Sequence, residues 1–249
     1  LRPNTARGVG PGGGVVHGGF DIGVPCTLAS AARSLLSTGE NLLIPRELRR
    51  YGLSEAQSMA AYGLLQGMVM PMLYFPSSFL SSFASLLIPR IAREFEQKHR
   101  RAVAHITETA VGAALQFGVF CAAVFFVFGE DWGTAFYSSA KAGGYLRILA
   151  PLVPLLYLDV GVDSLLKGLD EQLNSMKYNF TDSLIRVLLI LCFMRFSGMP
   201  AYIAILFFSS IFNAMMSVRR LLKVAQVRIR VVKNAVLPAA CALLCGGMA

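Results

Sequence analysis

The side chains best suited to chemistry in this chain are polar groups that lie inside apolar stretches. One such set follows at helical spacing and falls on one face of a helix: Ser30, Arg33, Ser37, Glu40 and Asn41. Arg33 and Glu40 are seven residues apart, so about 10 Å of rise separates them and they are badly placed to neutralise each other directly. The stripe predicts a water-filled cavity, where an arginine can bind phosphate, or an ion pair with a neighbouring helix; the two are compatible.

Two later apolar stretches carry acidic residues at similar spacing. Asp159, Asp163 and Lys167 stand at positions i, i+4 and i+8, and the order from Asp163 to Lys167 favours an ion pair along a helix. Asp182 and Arg186 are again four residues apart and can neutralise each other. Asp159 lies deeper in its stretch and needs a partner from elsewhere. We predict that these residues form intramembrane ion pairs or take part in ion coupling.

The sequence lacks the motifs of an enzyme or of a cofactor site. Its three histidines lie outside the polar stripes, with no Ser or Cys nucleophile arranged around them. There is no P-loop, and a literal GxGxxG match at 8–13 is interrupted by Pro11 and follows no strand. Cys241 and Cys245 would share a helix face, but two thiols without His or acidic neighbours make a poor metal site. We therefore predict no enzyme activity, no cofactor and no metal.

The composition indicates a membrane protein. Of 249 residues, 55% are hydrophobic and 15% are charged, and the mean hydropathy is +0.58; a soluble domain carries about 25% charged residues. The charges form short runs between long apolar stretches, which is typical of a polytopic protein of the bilayer. The net charge of +9 does not indicate nucleic acid, because the basic residues lie at the ends of apolar segments without interleaved stacking aromatics.

Seven stretches reach or approach the roughly 20 apolar residues of a membrane-spanning helix. They cover about 22–45, 56–89, 104–128, 144–166, 178–197, 200–218 and 234–249. The second is predicted to form one long helix bent at Pro71 and Pro76, to which Gln66 adds polarity. We expect a flexible Gly-rich segment over 1–21 and an all-α transmembrane bundle over 22–249, truncated in its seventh helix.

The pentapeptide LLIPR occurs twice, at 42–46 and at 86–90. Its proline is predicted to end or loosen a helix in each case, and the single span between the copies places them on opposite sides of the membrane. If the second copy is cytoplasmic, thirteen basic residues lie inside and five outside, as the positive-inside rule favours. The acidic segment GEDWGT, at 129–134, is then an outer loop.

Three stretches resemble a known family. They are "RSLLSTGENLLIPRELRRYGLS", "AYGLLQGMVMPMLYFPSSFLSSFASLLIPRIAREFE" and the later "YLRILAPLVPLLYLDVGVDSLLKGLDEQ". They resemble the stage V sporulation protein B-like branch of polysaccharide biosynthesis proteins, within the superfamily of multidrug, oligosaccharidyl-lipid and polysaccharide exporters. The resemblance begins near residue 21. It implies two bundles of six helices around a central cavity, with this chain as the second lobe and the start of a thirteenth helix.

The resemblance implies a flippase or exporter of a lipid-linked saccharide in the cytoplasmic membrane, working by alternating access in cell-wall or spore-cortex assembly. A first lobe, missing here or supplied by a partner subunit, is then needed for transport. The predicted cavity residues are Arg33, Ser37, Glu40, Asn41 and Gln66. Arg33 would contact a diphosphate, and Glu40 would balance it or couple an ion.

Two other hypotheses remain open at this point. The chain could belong to a cation-coupled multidrug antiporter of the same superfamily, although an arginine beside the acid favours an anionic substrate. It could also be a non-transporting membrane scaffold in a cell-wall or spore-coat complex.

Overall fold

The fold is an all-α bundle, as predicted. The computed structural model describes the backbone of residues 14–226 and the side chains of residues 30–226 other than Arg33. The helices in this range are α1 (Gly14–Arg50), α2 (Glu55–Leu64), α3 (Met70–Tyr74), α4 (Ser77–Glu96), α5 (Arg100–Tyr137), α6 (Ala140–Leu149), α7 (Val153–Gly168), α8 (Gln172–Ser197) and α9 (Met199–Ala225). A π-helical turn, Leu65–Val69, joins α2 to α3, and a 3₁₀ turn, Ala150–Leu152, joins α6 to α7.

Two predictions concern the ends of the chain, most of which lie outside the described residues. The helix predicted from 234 onward lies outside the described residues, as do residues 1–13 of the Gly-rich segment. Helix α1 already begins at Gly14, ahead of the boundary expected after residue 21.

Several of these helices are long and apolar enough to cross a membrane. Within the described residues these are α5, the continuous unit Ala140–Gly168 and α9, and the bent pair α2–α4 adds a fourth if it counts as one span. Helix α8 has 26 residues, enough for about 39 Å of rise, but it carries Asp182 and Arg186 near its middle. The protein is therefore built around membrane-spanning helices, and a further long helix, α8, holds charges at mid-length.

The long second stretch is bent, as its prolines predict. The axes of Glu55–Tyr74 and Ser77–Glu96 differ by 50°, and Pro76 lies at the break. Pro71 follows directly after the π-helical turn, where the irregular backbone accommodates its missing N–H. On the N-terminal side of the break, the Tyr157 hydroxyl of α7 donates a 2.9 Å hydrogen bond to the Leu73 carbonyl. A buried side chain thus supplies a hydrogen-bond partner where the helix is interrupted.

Of the two alternatives predicted for Pro45 and Pro89, that they end or that they loosen a helix, the first is wrong. Helix α1 continues to Arg50 and α4 to Glu96. The turns that follow the two prolines bury Leu48 and Ile91 completely, each with 0% exposure. Packing of these side chains stabilises a helical turn that has lost one backbone hydrogen bond.

The segment GEDWGT is also not a loop but part of α5. Its two glycines allow the backbones of α5 and α6 to meet. A Cβ atom placed on Gly133 would lie 2.2 Å from the Gly143 nitrogen, and one on Gly129 would lie 3.2 Å from the Arg147 nitrogen. Glycine in this segment therefore serves close helix packing rather than a turn.

The helices pack so that the apolar core is divided in two. Helix α1 packs on α8, α8 on α9, α9 on α7, and α7 on α4 and α5. One apolar cluster includes Tyr157 and Ile190, and the other includes Val162 and Leu221. Along α7 and α9 the residues between these clusters include Asp159, Ser209 and Asn213. The polar side chains are thus gathered at the middle of the bundle.

Candidate functional site

The centre of the candidate site is a guanidinium surrounded by acceptors from three helices. Arg186 of α8 lies 2.5 Å from the Asp182 carboxylate of the same helix and 3.6 Å from the Glu40 carboxylate of α1. Its Nε donates to the Ser209 hydroxyl of α9 at 3.0 Å. Ser209 in turn donates to the other oxygen of Asp182 at 2.6 Å. Buried charges are tolerated in a protein when they are paired and hydrogen-bonded in this way.

A second polar group lies beside this cluster and involves α7. The Asn213 amide of α9 donates to Asp159 at 3.0 Å and, at 3.5 Å, to the Asn179 side-chain oxygen of α8. Asp159 thereby obtains the partner from another helix that its depth requires. Asn213 is only 8% exposed, and its side-chain oxygen accepts no hydrogen bond from the described residues. The group presents mainly oxygen atoms to its surroundings.

The two polar groups line one cavity of about 200 Å³. Its walls come from α1, α3, the turn after α6, α7, α8 and α9. The polar lining residues are Ser37, Glu40, Tyr74, Asp159, Asn179, Asp182, Ser183, Arg186, Ser210 and Asn213. Sites for whole small molecules usually enclose about 300–1,000 Å³, so this cavity suits a headgroup or an ion. The lining contains three carboxylates and one guanidinium, so it has more acidic than basic side chains.

The structure brings together five of the sequence-predicted residues. Ser37, Glu40, Asp159, Asp182 and Arg186 all line the cavity. Of the two alternatives for Glu40, the ion pair with a neighbouring helix is present, and it lies at the wall of a cavity.

The other predicted residues lie elsewhere or are not described. Asn41 accepts a 2.8 Å hydrogen bond from the Tyr62 hydroxyl, and Gln66 belongs to the π-helical turn. Asp163 pairs with Lys167 at 2.6 Å and accepts a hydrogen bond from Ser175, away from the cavity lining. The side chain of Arg33 lies outside the described residues, so its contact with phosphate stays a prediction.

Helix α9 contributes residues to the site that the sequence did not predict. Ser209, Asn213 and Ser217 follow at intervals of four and have 1%, 8% and 4% exposure, so they form a buried polar stripe. The spacing is present in "SSIFNAMMS", but uncharged polar residues in an apolar stretch are a weak signal for a site. Asn179 on α8 and Tyr74 on α3 were missed for the same reason.

A separate ion pair joins the α7–α8 connection to α9. Arg220 holds the Glu171 carboxylate by hydrogen bonds of 2.7, 2.8 and 3.1 Å. Burial raises the pKa of the Glu171 carboxyl, but the hydrogen bonds from Arg220 and Asn174 outweigh burial and leave this pKa below its usual value. This contact lies at the end of the bundle, away from the cavity lining.

Together, an apolar helical bundle and a charged cavity at its centre are typical of polytopic membrane proteins that move a substrate or an ion. The model of the MatE family matches residues 50–194, more than half of the chain, and the chain belongs to this family. The resemblance seen in the sequence is thereby confirmed: the chain is a membrane protein from an exporter superfamily.

A curated relative gives the same assignment. The chain is 25% identical over 171 residues to Stage V sporulation protein B of Bacillus subtilis (strain 168). The match covers 69% of this chain and 33% of that protein, so the chain corresponds to about one third of its relative's length. No solved structure matches the chain significantly.

Proposed function

We propose that the chain forms one lobe of an exporter that flips a lipid-linked saccharide across the cytoplasmic membrane. Membership in an exporter family and similarity to a sporulation protein support this proposal. The observation that carries it is the ion cluster of Glu40, Asp182 and Arg186, which lies between α1 and α8 and lines a cavity. Ionisable side chains at bilayer depth are costly, and they mark substrate or ion pathways.

The cluster suits a transporter because its ion pairs join different helices. Glu40 belongs to α1 and Arg186 to α8, so a relative movement of these helices must change the 3.6 Å distance between them. The cavity of about 200 Å³ suits the phosphate-bearing part of a lipid carrier. A larger saccharide would extend toward a second lobe, whether that lobe belongs to the same chain or to a partner subunit. Arg33, on the same helix as Ser37 and Glu40, is a second candidate phosphate contact.

A second candidate function is cation-coupled antiport within the same superfamily. The excess of acid in the cavity favours it, since Glu40, Asp159 and Asp182 face one arginine. Oxygen atoms of carboxylates and amides are the ligands that hard cations prefer. In this case an ion gradient, rather than the substrate alone, would drive movement.

Flipping by the full-length protein in proteoliposomes tests the proposal. We expect Arg33→Ala and Arg186→Gln to reduce flipping of a fluorescent lipid-linked saccharide at least about tenfold, because each removes a charge-assisted phosphate contact. Glu130→Gln is the matched control, since Glu130 pairs with Arg147 at 3.1 Å on the exposed surface. Arg33→Ala and Glu130→Gln should be as abundant as the wild type. Arg186→Gln removes the counter-ion of two buried carboxylates, so Arg186→Lys, which keeps a cation there, is measured beside it.

The two candidate functions give different results in this assay. Normal flipping by both arginine variants would contradict the assigned substrate contacts. Failure of the wild type to flip the saccharide, together with cation-dependent efflux of a cationic drug, would favour the antiporter instead.

A further inference from the structure

Each nitrogen of the Arg186 guanidinium faces a different partner. Nε donates to Ser209 at 3.0 Å, and Nη2 to Asp182 at 2.5 Å. Nη1 is directed at Glu40, at 3.6 Å, which is longer than an N–H···O hydrogen bond of about 2.7–3.2 Å. The guanidinium is thus held firmly on the α8–α9 side and more loosely on the α1 side.

Asp182, on the firmly held side of the guanidinium, is also more buried than Glu40. The side chains of Asp182 and Glu40 are 5% and 11% exposed, whereas that of Arg186 is 27% exposed. Both oxygens of Asp182 are engaged, one by Arg186 and the other by Ser209. Ser209 therefore fixes the carboxylate and the guanidinium at once. Movement of the guanidinium away from these two partners would break two short hydrogen bonds, whereas separation from Glu40 breaks only the longer ion pair of 3.6 Å.

The charges of the cavity determine what can approach Arg186. The three carboxylates of the lining repel an anion that approaches Arg186. The anion can therefore bind the guanidinium only if one carboxylate moves away from it. Of the two carboxylates in contact with Arg186, Glu40 makes the longer contact, and it belongs to a different helix. A phosphate oxygen could then accept a hydrogen bond from Nη1 in place of Glu40, as oxyanions do from arginine.

We propose that the Nη1 edge of Arg186 is a phosphate-binding position, at which the phosphate replaces the Glu40 carboxylate. Asp182 and Ser209 keep the guanidinium oriented during this exchange, so Ser209 is a positioning residue. The inference rests on the proposed function and assigns the contact with the lipid carrier to α8. It also links binding to movement, because the exchange breaks the ion pair between α1 and α8.

Binding by the full-length protein, purified in detergent, tests the exchange. The probes are a polyprenyl diphosphate, inorganic pyrophosphate and the neutral polyprenol. We expect Glu40→Gln to bind the diphosphate about tenfold more tightly than the wild type, because the competing charge is gone. Arg186→Gln should bind it at least about tenfold more weakly, and Ser209→Ala about threefold more weakly, with recovery in Ser209→Thr.

The controls separate a specific exchange from a general change in the protein. Glu130→Gln should bind all three probes as the wild type does, and polyprenol binding should be the same in every variant. If the variants rank in the same order of affinity for pyrophosphate as for the lipid diphosphate, the site recognises the free anion as well. If they rank in this order for the lipid diphosphate alone, the headgroup of a lipid is the ligand. Each of these results supports the phosphate position.

Two results would overturn the inference. The first is Glu40→Gln binding the diphosphate no more tightly than the wild type, in protein that remains monodisperse. The second is an equal loss of polyprenol binding in Arg186→Gln, with Arg186→Lys as the conservative second variant in case the first misfolds. Since flipping is measured separately, a protein that flips lipid-linked saccharide without this exchange would leave the proposed function intact.

Discussion

The close contact of α5 and α6 leads to a sharp prediction for Gly133→Ala. The new Cβ would lie 2.2 Å from the Gly143 nitrogen and 2.4 Å from its Cα, whereas atoms in contact are about 3.5–4.0 Å apart. Both neighbours are backbone atoms and cannot rotate away. The helices must therefore separate by roughly 1 Å or more, which also loosens contacts nearby.

The magnitude follows from two opposing effects. Overpacking a tight contact costs about 1–3 kcal/mol, and the absence of any side chain in this contact puts the cost near the upper end. Replacing glycine by alanine within a helix returns about 0.5–1 kcal/mol. We therefore expect a net loss of about 2 kcal/mol in the free energy of unfolding.

Gly144→Ala is the matched control, because it lies one residue beyond Gly143 on α6 and a Cβ there would meet nothing within 4 Å. It should leave stability unchanged or raise it by about 0.5–1 kcal/mol. The assay is the apparent melting temperature of detergent-purified protein, measured for both variants beside the wild type. If Gly133→Ala melts at or above the wild type, the close approach of α5 and α6 is not as described.

Two further predictions concern topology and pH. In a cysteine-free background, an impermeant thiol reagent applied to intact cells should label Ala140→Cys but not Gln97→Cys. The reason is that the basic residues around the α4–α5 connection favour the cytoplasmic side. The reverse labelling would show that the orientation is inverted. Glu171 has a lowered pKa, so its ion pair stabilises the protein above the unfolded value of 4.5 and this contribution is lost as the pH falls through the lower folded value. The acid-induced fall in melting temperature should be smaller in Arg220→Gln, and an equal fall in both proteins would contradict the assigned pair.

Much of the helical architecture could be predicted from the sequence, because hydrophobic length and proline act locally. The bend at Pro76 follows from a missing backbone donor in the middle of a long apolar stretch. The continuation of the helices past Pro45 and Pro89 could not be predicted in this way. It depends on the burial of Leu48 and Ile91, which only the packing of distant helices determines.

The charged residues of the candidate site could be predicted from the sequence. Glu40, Asp182 and Arg186 stand out because an apolar stretch rarely contains such residues. Ser209 and Asn213 carry no charge, and their importance comes from the partners that α8 and α7 place beside them. The association of Glu40 with Arg186 spans 146 positions of the chain, and no local pattern relates two residues at that distance.

The hydrogen bond between Tyr157 and Leu73 has a mechanical consequence. Leu73 is anchored to α7 by this bond, whereas the next residue, Tyr74, is part of the cavity wall. Phe75 and Pro76, where the axis turns by 50°, follow immediately. A change in the bend angle therefore rotates Tyr74 relative to Leu73, which is bonded to α7. Movement of α4 thus changes the shape of the charged cavity.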